Sequence, residues 1–105
     1  MITISNAYMG QPATSNTTLY TCPVNTQARI LKCTVTNDTT TAKTITFHKG
    51  GTGDGNLILN ARTIGSEETY ECPEVVGQVL NAGDIINAIA ETVQLTVSLD
   101  VMEVT

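Results

Sequence analysis

The residues best suited to chemistry in this chain surround His48, the only histidine, which opens the segment HKGGTGDGN (His48–Asn56). A phosphate-binding loop ends in Gly-Lys-Ser/Thr and opens a helix whose N–H groups meet the phosphate, whereas a strand-like run follows here. Calcium-binding glycine-aspartate repeats need tandem copies, and the segment is a single copy. We therefore interpret it as a flexible hairpin loop, in which glycine permits positive φ, and we expect His48 to face solvent at a strand end.

The densest cluster of charge consists of four acids, Glu67, Glu68, Glu71 and Glu74. Paired carboxylates perform acid–base catalysis only when they are enclosed so that their pKa values separate, and no aromatic wall accompanies these four. A nucleophilic site needs a base in contact with the nucleophile and a third group that orients the base. We expect a solvated acidic surface, no enzymatic activity, and no catalytic, cofactor-binding or metal-binding residues.

Three cysteines, Cys22, Cys33 and Cys72, cannot all pair within one chain, and their spacing does not match a zinc site. We expect three reduced thiols that pack as small hydrophobic side chains. The pattern Tyr-x-Cys-Pro occurs twice, at Tyr20–Pro23 and Tyr70–Pro73. Two similar strand ends explain this repetition, and a Cys22–Cys72 disulfide remains the alternative.

The charge balance restricts the partners that the chain can have. Ten acids oppose five bases, so the formal net charge is −5. Because nucleic acids and anionic membranes are bound by clustered cations, we expect neither as a partner. The sequence has no apolar run of about 18 residues for a membrane span and no signal-peptide pattern, so we expect synthesis in a cytoplasm.

Alternation of apolar and polar residues predicts the secondary structure. In the run Gln94–Val104, Leu95, Val97, Leu99 and Val101 occupy every second position, which indicates a strand whose apolar side forms a core seam. The chain also contains 19 threonines, which favour strands. We predict strands at Ile2–Ser5, Thr18–Cys22, Ala28–Asn37, Lys43–Lys49, Leu57–Ile64, Glu68–Cys72, Asp84–Glu91 and Val93–Val104.

The turns complete the prediction of an all-β, antiparallel β-sandwich of jelly-roll or Greek-key type with about seven or eight strands. Turn residues at Asn37–Thr41, Gly65–Ser66 and Glu91–Thr92 predict β-hairpins. We place one sandwich domain at residues 18–105 and an N-terminal strand with an irregular arm at residues 1–17. A short helix is the alternative for Asp84–Glu91.

Two finer expectations concern which side chains face the core. In the second long strand we expect Leu31, Cys33 and Val35 to share the buried side. In the following strand we expect Ile45 and Phe47 to point inward.

The succession of strands and turns resembles small β-sandwich virion proteins of tailed bacteriophages. The resemblance covers about Leu19 to Val104 and is a loose pattern, not a catalytic signature. It is carried by Leu19-Tyr20-Thr21-Cys22-Pro23 with Asn25-Thr26, the strand Ala28–Thr36, the Asn37 turn into Thr44–Phe47, Glu68-Thr69-Tyr70, and Val79-Leu80-Asn81-Ala82-Gly83-Asp84 before Ile85–Ala90.

That resemblance implies a structural protein located in the virion, most often a capsid decoration (cement) protein that binds and stabilises the outer head surface. It implies a homo-oligomer, a dimer or trimer, in contact with the major capsid protein or other virion proteins. The alternative is a tail, neck or fibre component that binds a receptor or carbohydrate, although exposed aromatic side chains for stacking on sugars are few.

The N-terminal segment is the candidate contact region, because it carries apolar side chains on a stretch that looks too irregular to join the core. We expect Ile2, Ile4, Tyr8 and Met9 to contact a partner, with the arm lying across a neighbouring subunit. A frayed terminus is the alternative.

Overall fold

A computed structural model describes residues 1–105 and contains nine β-strands. Its only helical element is one 3₁₀ turn at Asp54–Asn56. The structure has no helix with the length and hydrophobicity of a membrane span. The strands are β1 (Ile2–Gly10), β2 (Thr17–Thr21), β3 (Gln27–Asn37), β4 (Lys43–Lys49), β5 (Leu57–Ile64), β6 (Glu68–Tyr70), β7 (Val79–Leu80), β8 (Ile85–Ala90) and β9 (Leu95–Val104).

The strands form two antiparallel sheets that pack face to face, as the sequence predicts. The larger sheet has the order β1-β9-β3-β6, with β7 also paired to β3, and the smaller sheet has the order β2-β8-β4-β5. These two strand orders are those of a jelly roll, in which most consecutive strands lie in opposite sheets and only β4–β5 and β6–β7 stay within one sheet. The segment Asp84–Glu91 contains strand β8, and the helical alternative for it is wrong.

Most of the predicted hairpins are wrong because the turns carry the chain across the sandwich. The turns after β3, β5 and β8 each join strands of opposite sheets. Only β4 and β5 form a hairpin within one sheet, through the predicted glycine-rich loop. Gly50 begins that loop with φ of +93°, a conformation that side-chain-bearing residues adopt at a cost. A turn sequence specifies a reversal of direction but not the sheet that the next strand joins.

The core lies between the sheets and is almost entirely aliphatic around the single phenylalanine, Phe47. The predicted seam of β9 is confirmed, since Leu95, Val97, Leu99 and Val101 are all fully buried. The seam is central because β9 pairs with both β1 and β3. Burial of each such side chain contributes about 1.5–3 kcal/mol to folding.

One predicted core residue, Leu31, is exposed. The pairing of β3 with β9 shifts between Ile30 and Lys32, so Leu31 is the extra residue of a β-bulge. Ile30 takes the inward position, and Cys33 resumes the alternation on the far side of the bulge. The prediction for Cys33 and Val35 is therefore confirmed, and that for Leu31 is wrong because a bulge resets the period of two.

The N-terminal strand is longer than predicted. It continues through Asn6–Gly10 with one bulge near Ala7, and residues 11–16, between β1 and β2, form no strand. β1 pairs along its length with β9 of the same chain. Met1 and Thr105 exchange two backbone hydrogen bonds of 2.9 and 3.0 Å at the end of this ladder.

Candidate interaction surface

Two polar residues on the outer side of the smaller sheet are buried. His48 is 4% exposed and lies directly opposite Asn87, which is fully buried, on the two interior strands of that sheet. The Asn87 amide donates to Oδ1 of Asn16 at 2.7 Å, whereas Nδ1 of His48 and Oδ1 of Asn87 have no hydrogen-bond partner. The expectation that His48 faces solvent is wrong, because His48 lies on an interior strand of the sheet, beside the buried Asn87 and not at a strand end that is open to water.

The acidic cluster of the sequence is exposed along β6 and the segment after it. Within it, the Tyr70 hydroxyl donates to Oε1 of Glu74 at 2.5 Å, and the Arg62 guanidinium lies 4.5 Å from the centre of the Tyr70 ring. The hydrogen bond from Tyr70 lowers the pKa of Glu74. Burial, with the hydrogen bond to Glu74, raises the pKa of Tyr70 to about 12. This arrangement links β5 to β6 across the open edge of the sandwich.

The repeated Tyr-x-Cys-Pro pattern gives the two tyrosines a common role, since Tyr20 likewise donates to a carboxylate, Oε2 of Glu103, at 2.5 Å. The two cysteines of the pattern have different surroundings. Hydrogen bonding to Cys72, together with burial, raises the pKa of the Cys33 thiol. The Cys22 thiol donates to the carbonyl oxygens of Thr26 and Leu80 instead. The structure thus places Cys72 beside Cys33.

The outer face of the larger sheet carries an apolar patch. Directly opposite residues of paired strands point to the same side, and the register aligns Ile2 with Val104 and Ile4 with Met102. Through Arg29, Met102 is aligned with Val79 of β7. We define the apolar patch as Ile2, Ile4, Val79, Met102 and Val104. Four of its members are 42–67% exposed and Met102 is half-buried.

A shallow depression of about 220 Å³ lies within the apolar patch, between β7 and the end of β9. Its apolar lining comes from Ala28, Val79, Met102 and Val104, and the polar side chains of Gln27 and Arg29 border it. Specific protein interfaces combine an apolar centre with a polar rim in this way, with arginine among the favoured rim and anchor residues. The arrangement is suited to receiving apolar side chains of another protein.

The four predicted contact residues do not all lie together. Ile2 and Ile4 belong to the apolar patch, and Met9, aligned with Ser98, is exposed further along the same face. Tyr8 is aligned with the buried Leu99 and packs against the core from the inner side of β1. Val79, Met102 and Val104 were not predicted, although apolar residues at the outward positions of β9 are a signal that points to two of them.

Comparisons of the chain with protein-family models, with curated proteins and with solved structures found no match.

Proposed function

We propose that this chain is a structural protein of a tailed-phage virion, a capsid decoration protein that binds the outside of the head through the apolar patch and stabilises it. The observation that carries the proposal is the apolar patch itself. Large apolar side chains grouped on one exposed sheet face, with a polar border, mark a surface that associates with another protein. The resemblance of the strand-and-turn pattern to small virion sandwiches supplies the setting.

The fold is compatible with this role. Jelly rolls recur in viral capsid and lectin domains, although a fold alone does not assign a function. The two longest strands that form the outer face, β3 and β9, are held by a ladder along almost their whole length. A rigid sheet loses little conformational freedom when it docks, and this favours binding to a repeated surface.

The test adds purified recombinant protein to heads that lack it and measures bound copies per head and the temperature at which heads release DNA. We expect saturable binding to hundreds of sites and a higher release temperature. Met102→Lys places a charge at the centre of the apolar patch and should weaken binding at least tenfold. Val24→Lys is the matched control, because Val24 is 80% exposed in the β2–β3 loop outside the patch.

Failure of the wild-type protein to bind heads, with no change in their heat resistance, contradicts the decoration role. Binding to isolated tails or fibres in the same assay would support the tail, neck or fibre role instead. Equal loss of binding in Met102→Lys and Val24→Lys would show that the apolar patch is not the contact surface.

A further inference from the structure

The free edge of β1 differs from the other sheet edges in this molecule. The edge strand β6 has three residues and carries Glu68, and β5 carries Arg62 beside a bulge where Ala61 adopts φ of +47°. The edge strand β2 has five residues and is also bulged. Charges, bulges and shortness are the usual protections of a sheet edge against pairing with another strand.

By contrast, β1 has nine residues with no charged side chain and no proline, and its bulge lies beyond Asn6. Met1 and Thr105 exchange two backbone hydrogen bonds, so they form a hydrogen-bonded pair of the antiparallel ladder. In such a ladder every second residue bonds to the neighbouring strand, so the N–H and C=O of Thr3 and Ser5 point toward β9. The backbone groups of Ile2, Ile4 and Asn6 therefore point away from the sheet.

We infer that two copies of this chain form a two-fold symmetric dimer by antiparallel pairing of their β1 edges, centred on Ile4. An antiparallel pair of identical strands is self-complementary, so each free N–H meets a free C=O of the other copy. The unbulged stretch Ile2–Asn6 overlaps completely only when Ile4 lies opposite its own counterpart. Ile2 then lies opposite Asn6 of the second copy.

Charge favours a second copy at this edge. Each chain carries a net charge of −5, so two copies repel each other generally, yet the stretch Ile2–Gly10 contributes no side-chain charge to the contact. Two acidic residues of β9 lie one strand inside the edge and both accept hydrogen bonds within the chain, Glu103 from the Tyr20 hydroxyl at 2.5 Å and Asp100 from the Asn6 amide at 2.8 Å. The approach of two β1 strands therefore brings no charged side chain of one edge strand against the other.

The side chains reinforce the same pairing. Ile2 and Ile4 are 64% and 67% exposed on the outer face, and pairing places Ile4 against Ile4 of the second copy. Same-face pairs of β-branched residues stabilise neighbouring strands. The dimer also joins the two apolar patches into one continuous surface across the two-fold axis. The inference concerns the chain itself and does not depend on the virion role.

The test is sedimentation equilibrium of the full chain over a wide range of concentration, with Ile4→Pro as the principal variant. Wild type should approach twice the chain mass of 11.1 kDa. Proline removes the outward N–H of Ile4 without removing a bond to β9, so the variant should keep its β-sheet circular dichroism and dissociate at least tenfold more readily. Ile4→Lys, which needs no change of backbone, should do the same. Val24→Ser, at an exposed site away from the edge, should remain dimeric.

A cross-link defines the register. Ile4→Cys should form an intermolecular disulfide under mild oxidation, because the two residues face each other across the axis, whereas Val24→Cys should not. The three native cysteines are buried and leave the readout clear. A wild-type monomer at every concentration overturns the inference, as does an oligomer that persists in both Ile4→Pro and Ile4→Lys. Cross-linking that is equal in Ile4→Cys and Val24→Cys overturns the register.

Discussion

The outer faces of the two sheets differ in the side chains that they expose and bury. The larger sheet exposes apolar side chains, of which Ile2 and Ile4 are about two-thirds accessible. The smaller sheet covers two polar side chains, His48 and Asn87, whose hydrogen-bonding capacity is not fully used within the chain. The first face has a surface that association with a partner would stabilise. The second face buries polar side chains at its centre and groups no comparable set of exposed apolar ones.

Substitution of a residue on the inner side of β9 should have the largest effect on stability. It therefore gives the reference against which substitutions on the two outer faces are compared. Leu99→Ala removes a fully buried side chain of the core seam and should lower the free energy of unfolding by about 2–5 kcal/mol. Thr96→Ala, on the outward side of the same strand, is the matched control and should cost much less. Urea denaturation of both variants measures the difference. Equal costs would mean that β9 does not separate a buried side from an exposed one.

Replacement of Asn87 tests whether the polar pair His48 and Asn87 on the smaller sheet is buried. Asn87→Ala removes the hydrogen bond to Asn16 and leaves space beside His48, so we expect a loss of about 1–3 kcal/mol. Asn60→Ala, at an exposed asparagine on edge strand β5 of the same sheet, is the control. Thermal or urea unfolding gives the comparison. A neutral Asn87→Ala variant would contradict the burial of Asn87 and its hydrogen bond to Asn16.

Substitution in the apolar patch of the larger sheet, by contrast, should hardly change the stability of the monomer. Ile2→Thr keeps a β-branched side chain on an exposed strand position, and its effect on the stability of the monomer should lie within about 0.5 kcal/mol. The measurement is urea denaturation of the dilute protein, where association does not contribute. A loss comparable with that of Asn87→Ala would mean that the apolar patch is needed for folding and would weaken its assignment as a docking surface.

The smallest effect on stability should come from loss of the hydrogen bond between Tyr70 and Glu74, at the edge where β5 lies near β6. The lowered pKa of Glu74 makes a contribution to stability that is present above its unfolded pKa and is lost as pH falls through the folded pKa. Tyr70→Phe should therefore raise the pKa of Glu74 toward its ordinary value. Carboxyl-carbon NMR across an acid titration measures this change. An unchanged Glu74 titration in the variant would contradict the hydrogen bond.

Alkaline titration tests the same link from the other side. Because the pKa of Tyr70 is raised to about 12 from an ordinary value near 10, its contribution to stability is complete below the ordinary value and is lost as pH rises through the folded value. Ultraviolet absorbance should show this tyrosine ionising late in the folded protein. Glu74→Gln should make it ionise earlier, whereas Glu71→Gln, an exposed neighbour, should not.

The sequence predicted the strands better than their arrangement. The bounds of β4 and β5 agree with prediction, and the seam of β9 agrees residue by residue, because alternation is a local signal. Strand β7, which has two residues, is too short to show a period. The bulge at Leu31 and the burial of His48 depend on neighbouring strands, which local alternation does not describe.

The apolar patch shows the same limit for the candidate site. Ile2 and Ile4 were identifiable because they stand out in a polar segment. Val79, Met102 and Val104 join them only through the pairing of β1, β9, β3 and β7, and that order cannot be derived from turn residues. Tyr8 was grouped with the contact residues because it is a large side chain in the same N-terminal segment, but the bulge between Asn6 and Tyr8 turns it to the inner side of β1.

The position of β9 also governs how the chain can fold. Residues 95–104 lie between β1 and β3, so the larger sheet has a gap at its centre until the last strand of the described chain is in place. Most other connections run between opposite sheets, and contacts between residues distant in sequence slow the search for the native state. While β9 is absent, one side each of β1 and β3 is unpaired. We expect slow refolding from denaturant and aggregation of chains shortened before Leu95.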